Sequence, residues 1–318
     1  MPTPMAFLNG NYLPLEDAKI PINTHAFMYG TAVFEGVRGN WNADQGQLYL
    51  FRLADHMRRL RQNAKILRIG ISYTDEQLAE IVSNLVHRAD FREDVYIRPI
   101  AYKSDTVIGP RVHNVADDVL FFAIPLGNYL DSEAGITCCV SSWRRVDDNM
   151  IPARAKVNGL YVNNSLAKTE AQLNGFDEAI LLNQDGHVSE GSGENIVIIR
   201  NGKLITPPPA DNVLEGITME TVFAVARDLG YEVEARSVDR TELYIADEIF
   251  MTGTAAHVTP VLSVDRVPVA EGKPGPISTL LQRTYFDAIT GRNPRYMQWL
   301  TPVYTPSAVP PSTPLATR

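Results

Sequence analysis

Strands, two helices and more strands in the first part, then alternating strands and helices in the second, predict a mixed α/β (α+β) fold in two domains. The chain has 318 residues, 45% of them hydrophobic and 21% charged, which allows two cores of ordinary size. Between the parts lies "PLGNYLDSEAG" (125–135), whose Pro, Gly and Asn content reads as a connector. The expected division is a smaller N-terminal α/β domain over 1–124, an interdomain loop over 125–135 and a larger C-terminal domain over 136–303. A Pro-, Ser- and Thr-rich tail over 304–318 is expected to be disordered.

In chain order, "RLADHMRRLRQNAKILRI" carries Leu53, Met57, Leu60, Ala64 and Leu67 at helical spacing, with Arg58, Arg61 and Arg68 on other faces. "TDEQLAEIVSNLVHRA" opens with Thr74 and Gln77 in capping-box relation and puts Leu78, Ile81, Val82 and Leu85 on one stripe. "VYIRPIAY" (95–102) and "VLFFAIPLG" (119–127) read as strands, separated by a polar loop. In the second part Asp185-Gly186 and Asn201-Gly202 each stand between apolar runs, the pattern of a tight hairpin. "GITMETVFAVARDLG" reads as a helix that starts after Gly216 and stops at Gly230. "DEIFMTGTAAHVTPV" reads as one buried strand.

Several function classes are excluded. No run of eighteen apolar residues is present, so no membrane span is expected. The N-terminus lacks a basic region followed by an apolar one, so no secretory signal is read. A formal charge of −8 argues against nucleic acid as a partner. The two cysteines, Cys138 and Cys139, are adjacent, and the six histidines form no ligand spacing. No disulfide and no metal site are expected, and a cytoplasmic location is expected.

Five stretches carry residue types suited to chemistry. Of seven lysines, five sit beside polar, acidic or loop residues, Lys168 among them as a solvated helix position, and Lys65 lies on the Arg-rich helix as a weaker rival. Lys156 stands between Ala155 and Val157. There it is either a surface lysine with a buried stem or a desolvated amine of lowered pKa, able to attack a carbonyl. "HVSEGSGENIVI" places Glu190 before a Gly-rich turn and a buried strand. That is either a solvated turn or a carboxylate held against a cofactor's pyridine nitrogen. "LEGITMET" puts Gly216, Ile217 and Thr218 at a helix start, and "TGTAA" puts Thr252 and Thr254 at a strand end. Each is either an ordinary cap or turn, or a phosphate site. "THAFMYGTAVFEGVRG" (24–39) mixes aromatics and glycines in neither helical nor strand period, as core or as binding wall.

Together, "HAFMYGTAVFEGVR", "HMRRL", "YIRP", "SSWRR", "AKVNGLY", "SEGSGENI", "LEGIT" and "MTGTAAHVTPV" stand in the order and spacing of the branched-chain amino acid aminotransferases. Over roughly residues 6–300 the chain resembles that family. The resemblance implies PLP fold type IV, the D-amino acid aminotransferase-like architecture. It also implies pyridoxal 5′-phosphate (PLP) as cofactor, cycling through pyridoxamine phosphate. The implied reaction is ping-pong transfer of the amino group of L-leucine, L-isoleucine or L-valine to 2-oxoglutarate.

By the same resemblance Lys156 is the lysine that binds the cofactor and moves a proton between substrate Cα and cofactor C4′. Tyr161 is similar to the tyrosine on the phenolic oxygen, Glu190 to the carboxylate on the pyridine nitrogen, and Arg59 to the phosphate arginine. Ile217, Thr218 and Thr254 match further phosphate donors, and Gly193, Glu194, Asn195, Leu214, Gly216 and Gly253 complete the implied cofactor shell. Phe34, Gly36, Tyr96, Arg98 and Tyr129 resemble the substrate pocket, and the backbone of Thr254, Ala255 and Ala256 the α-carboxylate site. Tyr29 is implied to come from the second subunit of a homodimer or higher homo-oligomer whose active sites lie at the interface. Met219 stands where many relatives carry arginine, and "KVNGLYVNNSLAK" departs from a Gly-rich form, which leaves the amine range open. A D-amino acid or broad-range transaminase and an aminodeoxychorismate lyase of the same fold are the alternatives.

Overall fold

The computed structural model describes residues 3–127, 130 and 134–304. Tyr129, most of the connector's middle and residues 305–318 lie outside the described residues, and with them the expectations placed there.

The first part of the chain runs β1 (Met5–Leu8), β2 (Asn11–Pro14), α1 (His25–Tyr29), β3 (Ala32–Phe34), β4 (Val37–Asn42) and β5 (Gln47–Phe51). It continues with α2 (Leu53–Ile66), α3 (Asp75–Ala89), β6 (Val95–Lys103) and β7 (Asp117–Pro125). After the connector come β8 (Ile136–Arg144), α4 (Tyr161–Leu173), β9 (Glu178–Leu182), β10 (Val188–Gly191), β11 (Asn195–Arg200) and β12 (Lys203–Thr206). Then follow α5 (Ile217–Asp228), β13 (Val233–Ala235), β14 (Glu248–Gly253), β15 (His257–Val264), β16 (Val267–Pro268), α6 (Pro276–Ile289) and β17 (Leu300–Pro302).

The first sheet has the order β17-β5-β4-β6-β7-β1-β2, with β3 also on β6, and every pairing in it is antiparallel. Helices α2 and α3 cover one face: Met57, Leu60, Leu78, Val82 and Leu85 pack against Leu48, Leu50, Val95, Ile97 and Phe121. The apolar stripes read from the sequence are the faces that bury. Thr74 caps α3, its Oγ1 accepting from Gln77 N–H while Gln77 Oε1 accepts from Thr74 N–H.

The second sheet runs β10-β9-β8-β15-β14-β11-β12-β13, with β16 on β15. It is parallel at β8–β9, β8–β15 and β12–β13 and antiparallel elsewhere. Its central strands are buried on both sides. Ile196 and Ile198 face one core with Ile249 and Met251, while Val197 and Ile199 face another under α5 and α6. That is why "NIVII" shows no polar alternation. Both expected hairpins form, β9–β10 around Asp185-Gly186 and β11–β12 around Asn201-Gly202.

Three sequence expectations change. "DEIFMTGTAAHVTPV" is two antiparallel strands, β14 and β15, joined by a turn at 254–256. Small residues in its centre weaken a strand, and a turn there lets both halves pair. Helix α6, which the sequence reading passes over, covers β14 and β15. Finally, residues 300–304 belong to the first sheet, not to the C-terminal part or a loose tail. Leu300, Thr301 and Pro302 pair with β5, Val303 N–H donates to Leu48 O at 3.0 Å, and buried Tyr304 donates its hydroxyl to Phe91 O at 2.6 Å. One aromatic anchor outweighs the Pro- and Ser-rich average around it.

Candidate active site

Lys156 sits where the two sheets meet. Its neighbours Ala155, Val157 and Leu160 are buried in the first sheet's core. Val157 bridges Val33, and Phe34 N–H donates to Lys156 O at 3.0 Å. This tie needs two glycines. Gly30 ends α1 at φ +68°, and a Cβ there would lie 2.9 Å from Gly159 Cα. The irregular 24–39 stretch is thus a one-turn helix, a left-handed glycine and two short strands that dock the lysine loop.

The Lys156 side chain reaches a cavity of about 410 Å³. Its Nζ donates to Tyr161 Oη at 2.7 Å and stands 5.1 Å from the Phe34 ring centroid. The expected lowering of its pKa is not what the site produces. Burial, the largest influence, pushes the ammonium down, but Tyr161 and Glu35 hold it, and the net direction is up. A phenol oxygen and a nearby carboxylate outweigh the apolar setting that composition alone reveals. The elimination of other lysines also changes in detail. Lys168 is not solvated: it donates to buried Glu178 Oε2 at 2.6 Å, and Lys103 is a buried strand residue paired with Asp117 at 2.7 Å.

Glu190 lines the same cavity at the end of β10. Its Oε1 lies 2.6 Å from Nη2 of Arg145, and its Oε2 accepts from Asn195 Nδ2 and from Leu214 N–H, each at 3.0 Å. Asn195 also donates to Leu214 O at 2.8 Å, so one amide joins the turn to the loop before α5. Burial raises Glu190 while Arg145 and the Leu214 N–H pull the other way, leaving a carboxylate more basic than an exposed one. Arg145 is legible in the sequence only as part of "SSWRR". Its Nη1 donates to Asn164 and its Nε to Asn212 O, at 2.9 and 3.1 Å, which fixes the guanidinium plane.

At the opposite wall Gly216, Ile217 and Thr218 start α5, whose first turn has no side-chain cap. Its leading N–H groups have no intrahelical acceptors and form an anion-binding end. A Cβ on Gly216 would overlap Asn195 Oδ1, so only glycine fits there. Arg59 reaches the cavity from α2 with Nη1 donating to Glu215 O at 2.6 Å. Its Nε and Nη2 both grip Glu35, at 2.7 Å each, and His56 Nδ1 lies 2.8 Å from the same carboxylate. Glu35 is fully buried, and despite burial Arg59 and His56 hold its pKa down to about 2. Burial pushes His56 down, so the imidazole is neutral and donates. Sequence reasoning names Arg59 but misses Glu35 and His56; the one signal for Glu35 is an acidic residue inside the apolar run "AVFEGV".

The rest of the wall is mixed. Arg98 donates to Tyr96 Oη from Nε and Nη2, at 3.2 and 2.7 Å, and its guanidinium lies 4.5 Å from the Phe34 centroid. A Cβ at Gly36 would sit 2.6 Å from Tyr96 Oη, so the glycine makes room for that phenol. Phe122, Ile124 and Leu126 of β7 and its end add apolar surface that the sequence reading does not single out. Thr252 Oγ1 is buried on this wall with no protein partner.

Gly193, Glu194, Asn195, Leu214, Gly253, Thr254 and Ala255 also line the cavity. Neither Gly193 nor Gly253 is forced by space, since a Cβ there would meet no atom closer than 3.5 Å. Ala256, the last residue of the turn, is buried but is not on the wall. Tyr29 is also off it: its hydroxyl accepts from Gly109 N–H at 3.0 Å on the outer surface. Tyr129 lies outside the described residues.

A family model described as "Amino-transferase class IV" matches residues 32–264. A relative from Aquifex aeolicus (strain VF5), named "Probable branched-chain-amino-acid aminotransferase", is 50% identical over 300 residues, covering 94% of this chain and 96% of its own. The branched-chain aminotransferase from Thermoproteus uzoniensis, solved with norvaline, superposes with a TM-score of 0.91 at 45% identity, covering 94% of this chain and 99% of that one. The T.th. branched-chain amino acid aminotransferase, solved with N-(5′-phosphopyridoxyl)-L-glutamate, gives a TM-score of 0.90 at 42% identity, covering 95% and 99%.

Proposed function

The chain belongs to the class IV aminotransferases, among the branched-chain amino acid aminotransferases, and from that membership we propose that it transfers the amino group of L-leucine, L-isoleucine or L-valine to 2-oxoglutarate. It is a PLP-dependent transaminase, and the cofactor alternates with pyridoxamine phosphate. The observation that carries this reading is convergence. Lys156, Tyr161, Glu190 and the start of α5, from separate stretches, line one cavity.

The residues fit the group. Thr252 Oγ1 is a buried donor without a partner, the α5 end is uncapped, and Glu190 offers a carboxylate already held in place. Gly216, Ile217, Thr218, Thr254 and Arg59 would hold the phosphate, Glu190 the ring nitrogen and Tyr161 the phenolic oxygen. The cofactor supplies an electron sink for the bond to substrate Cα. Lys156 Nζ would carry the proton from substrate Cα to cofactor C4′, and Tyr161 Oη, 2.7 Å away, would steady the amine between the two positions. Glu190, a carboxylate paired with Arg145, would accept from the ring nitrogen and keep it protonated, with a basicity that burial raises and Arg145 limits. Phe34, Ile124 and Leu126 receive an apolar branched chain and exclude water. Tyr96 and Arg98 give a glutamate side-chain carboxylate its partners at the rim. The T.th. relative holds a glutamate adduct of the cofactor, which supports this second half-reaction.

The active unit in this reading is a homodimer or larger homo-oligomer, and Tyr29 serves the neighbouring subunit's pocket. Phe27 is 71% exposed and Ile108 77%, an apolar surface unusual for a free face. Bonds from His25 and Tyr29 to Gly109 join these two segments into one patch. Among the described residues no helix is long and apolar enough to cross a membrane, and Cys138 and Cys139 are free thiols, which supports the cytoplasm.

The test is Lys156→Ala with leucine enantiomers. Unsubstituted protein should show the absorbance of lysine-bound cofactor and lose it with L-leucine but not D-leucine. The variant should bind PLP without that absorbance and lose at least about a thousandfold in turnover, the scale of losing the nucleophile and proton carrier together. Retained turnover in the variant sinks the assignment. A response to D-leucine alone selects the D-amino acid alternative, and pyruvate release from aminodeoxychorismate the lyase.

A further inference from the structure

Glu194 and Glu178 form a carboxyl pair that the reaction above leaves without a task. Glu178, on β9, is fully buried; its Oε1 accepts from Ala179 N–H at 2.7 Å and its Oε2 from Lys168 Nζ at 2.6 Å. Glu194 is 5% exposed, lies on the cavity wall and accepts from Gly193 N–H at 3.1 Å, and the β9–β10 register, with Ile180 opposite Gly191, brings Glu178 alongside its turn. Two carboxyls side by side in a buried site do not both ionise. The ammonium of Lys168 sits on Glu178, so the charge belongs there and the proton on Glu194.

That proton holds a turn. Gly191 N–H donates to Glu194 O at 2.7 Å, and a Cβ at Gly191 would lie 2.9 Å from Glu194 Oε2, so the carboxyl is packed under the turn's main chain. Glu190 enters this turn and Asn195 leaves it, and Asn195 Nδ2 is one of the donors that fix Glu190. We propose that Glu194 is a positioning residue that works as a neutral acid, donating to Glu178 and so keeping the Gly191–Glu194 turn, and Glu190 with it, in working geometry. The catalytic consequence rests on the transaminase reading; the proton on Glu194 does not.

The surrounding groups agree. Burial first, and then the Glu178 charge, raise Glu194 to about 8, against Lys168 and the Gly193 N–H. The buried Cys138 thiol on β8 is pushed well up by burial and then by Glu178 and Glu194, with Cys139 and Asp177 adding to it, so it stays neutral. Glu190 is paired with Arg145 instead. Ionising Glu194 would set a second negative charge against Glu178 and break the bond between them.

The experiment uses the holoenzyme labelled with carboxyl-¹³C glutamate and two readouts. Infrared spectra should show a protonated carboxylic acid band at pH 7 that fades through about pH 8 and is missing in Glu194→Gln. The rate of the L-leucine half-reaction at pH 9, divided by that at pH 7 in the same protein, should fall about tenfold without substitution, as the protonated fraction does one unit past the pKa. In E194Q, whose amide stays neutral and can still donate, that ratio should fall by less than about threefold. No acid band at pH 7, or a band that E194Q retains, overturns the protonation. Equal pH ratios in both proteins overturn the positioning role. If E194Q does not fold, the titration of the band in the unsubstituted holoenzyme decides alone. Absence of leucine turnover would refute the transaminase reading and leave the infrared test intact.

Discussion

Replacing Glu35 by glutamine keeps the shape of a buried side chain and removes the charge that neutralises Arg59. The carboxylate is fully buried and gripped twice by Arg59, with His56 on the same oxygen as one of those bonds. Its pKa falls from the ordinary 4.5 to about 2. At about 1.4 kcal/mol for each pH unit this corresponds to roughly 3 kcal/mol at neutral pH. Stranding one partner of a buried pair costs about 3–5 kcal/mol by a separate route, so the two figures agree. Because the folded value lies below the unfolded one, this stability is present above pH 4.5 and is lost as pH falls toward 2. Urea unfolding of the cofactor-free chain, at one protein concentration, should therefore separate E35Q from the unsubstituted chain by roughly 3 kcal/mol at pH 7. The gap should narrow by roughly 0.8 kcal/mol at pH 4. A gap under about 0.5 kcal/mol at pH 7, the size of an ordinary surface change, would refute the reasoning, as would a gap that widens on acidification.

Gly216→Ala should weaken PLP retention by about tenfold or more in equilibrium dialysis, since overpacking costs about 1–3 kcal/mol and the new methyl displaces the Asn195 amide that fixes Glu190. Unchanged retention would mean that the amide can move without consequence. Phe27→Asp should leave the fold intact, because the side chain is 71% exposed, yet shift the mass in light scattering toward the monomer. An unchanged mass would remove this patch from the subunit interface.

Much of the site is legible in the sequence because its parts are local. A capping box, two turn dipeptides and a helix start after Gly216 are decided within a few residues, and each is found as read. The 24–39 stretch resists both periods because it contains neither a full helix nor a full strand. Its glycines answer to contacts with Gly159 and Tyr96 that lie far along the chain. Lys168 shows the reverse error. Its neighbours Thr169 and Glu170 suggest water, but its partner Glu178 comes from the next strand.

By itself the sequence determined the helices α2, α3 and α5 with their apolar faces, the two tight hairpins, and which residue types stand in the order of a known family. Those properties depend on backbone preference and side-chain period, which act over a few residues. Only the tertiary structure decided the charge states. Without cofactor, burial pushes the Lys156 ammonium down but Tyr161 and Glu35 turn the net direction up, Glu190 is balanced by Arg145, and Arg59 is neutralised by Glu35. Electrostatic energy in a buried site is set by groups within a few ångströms in space, whatever their distance along the chain.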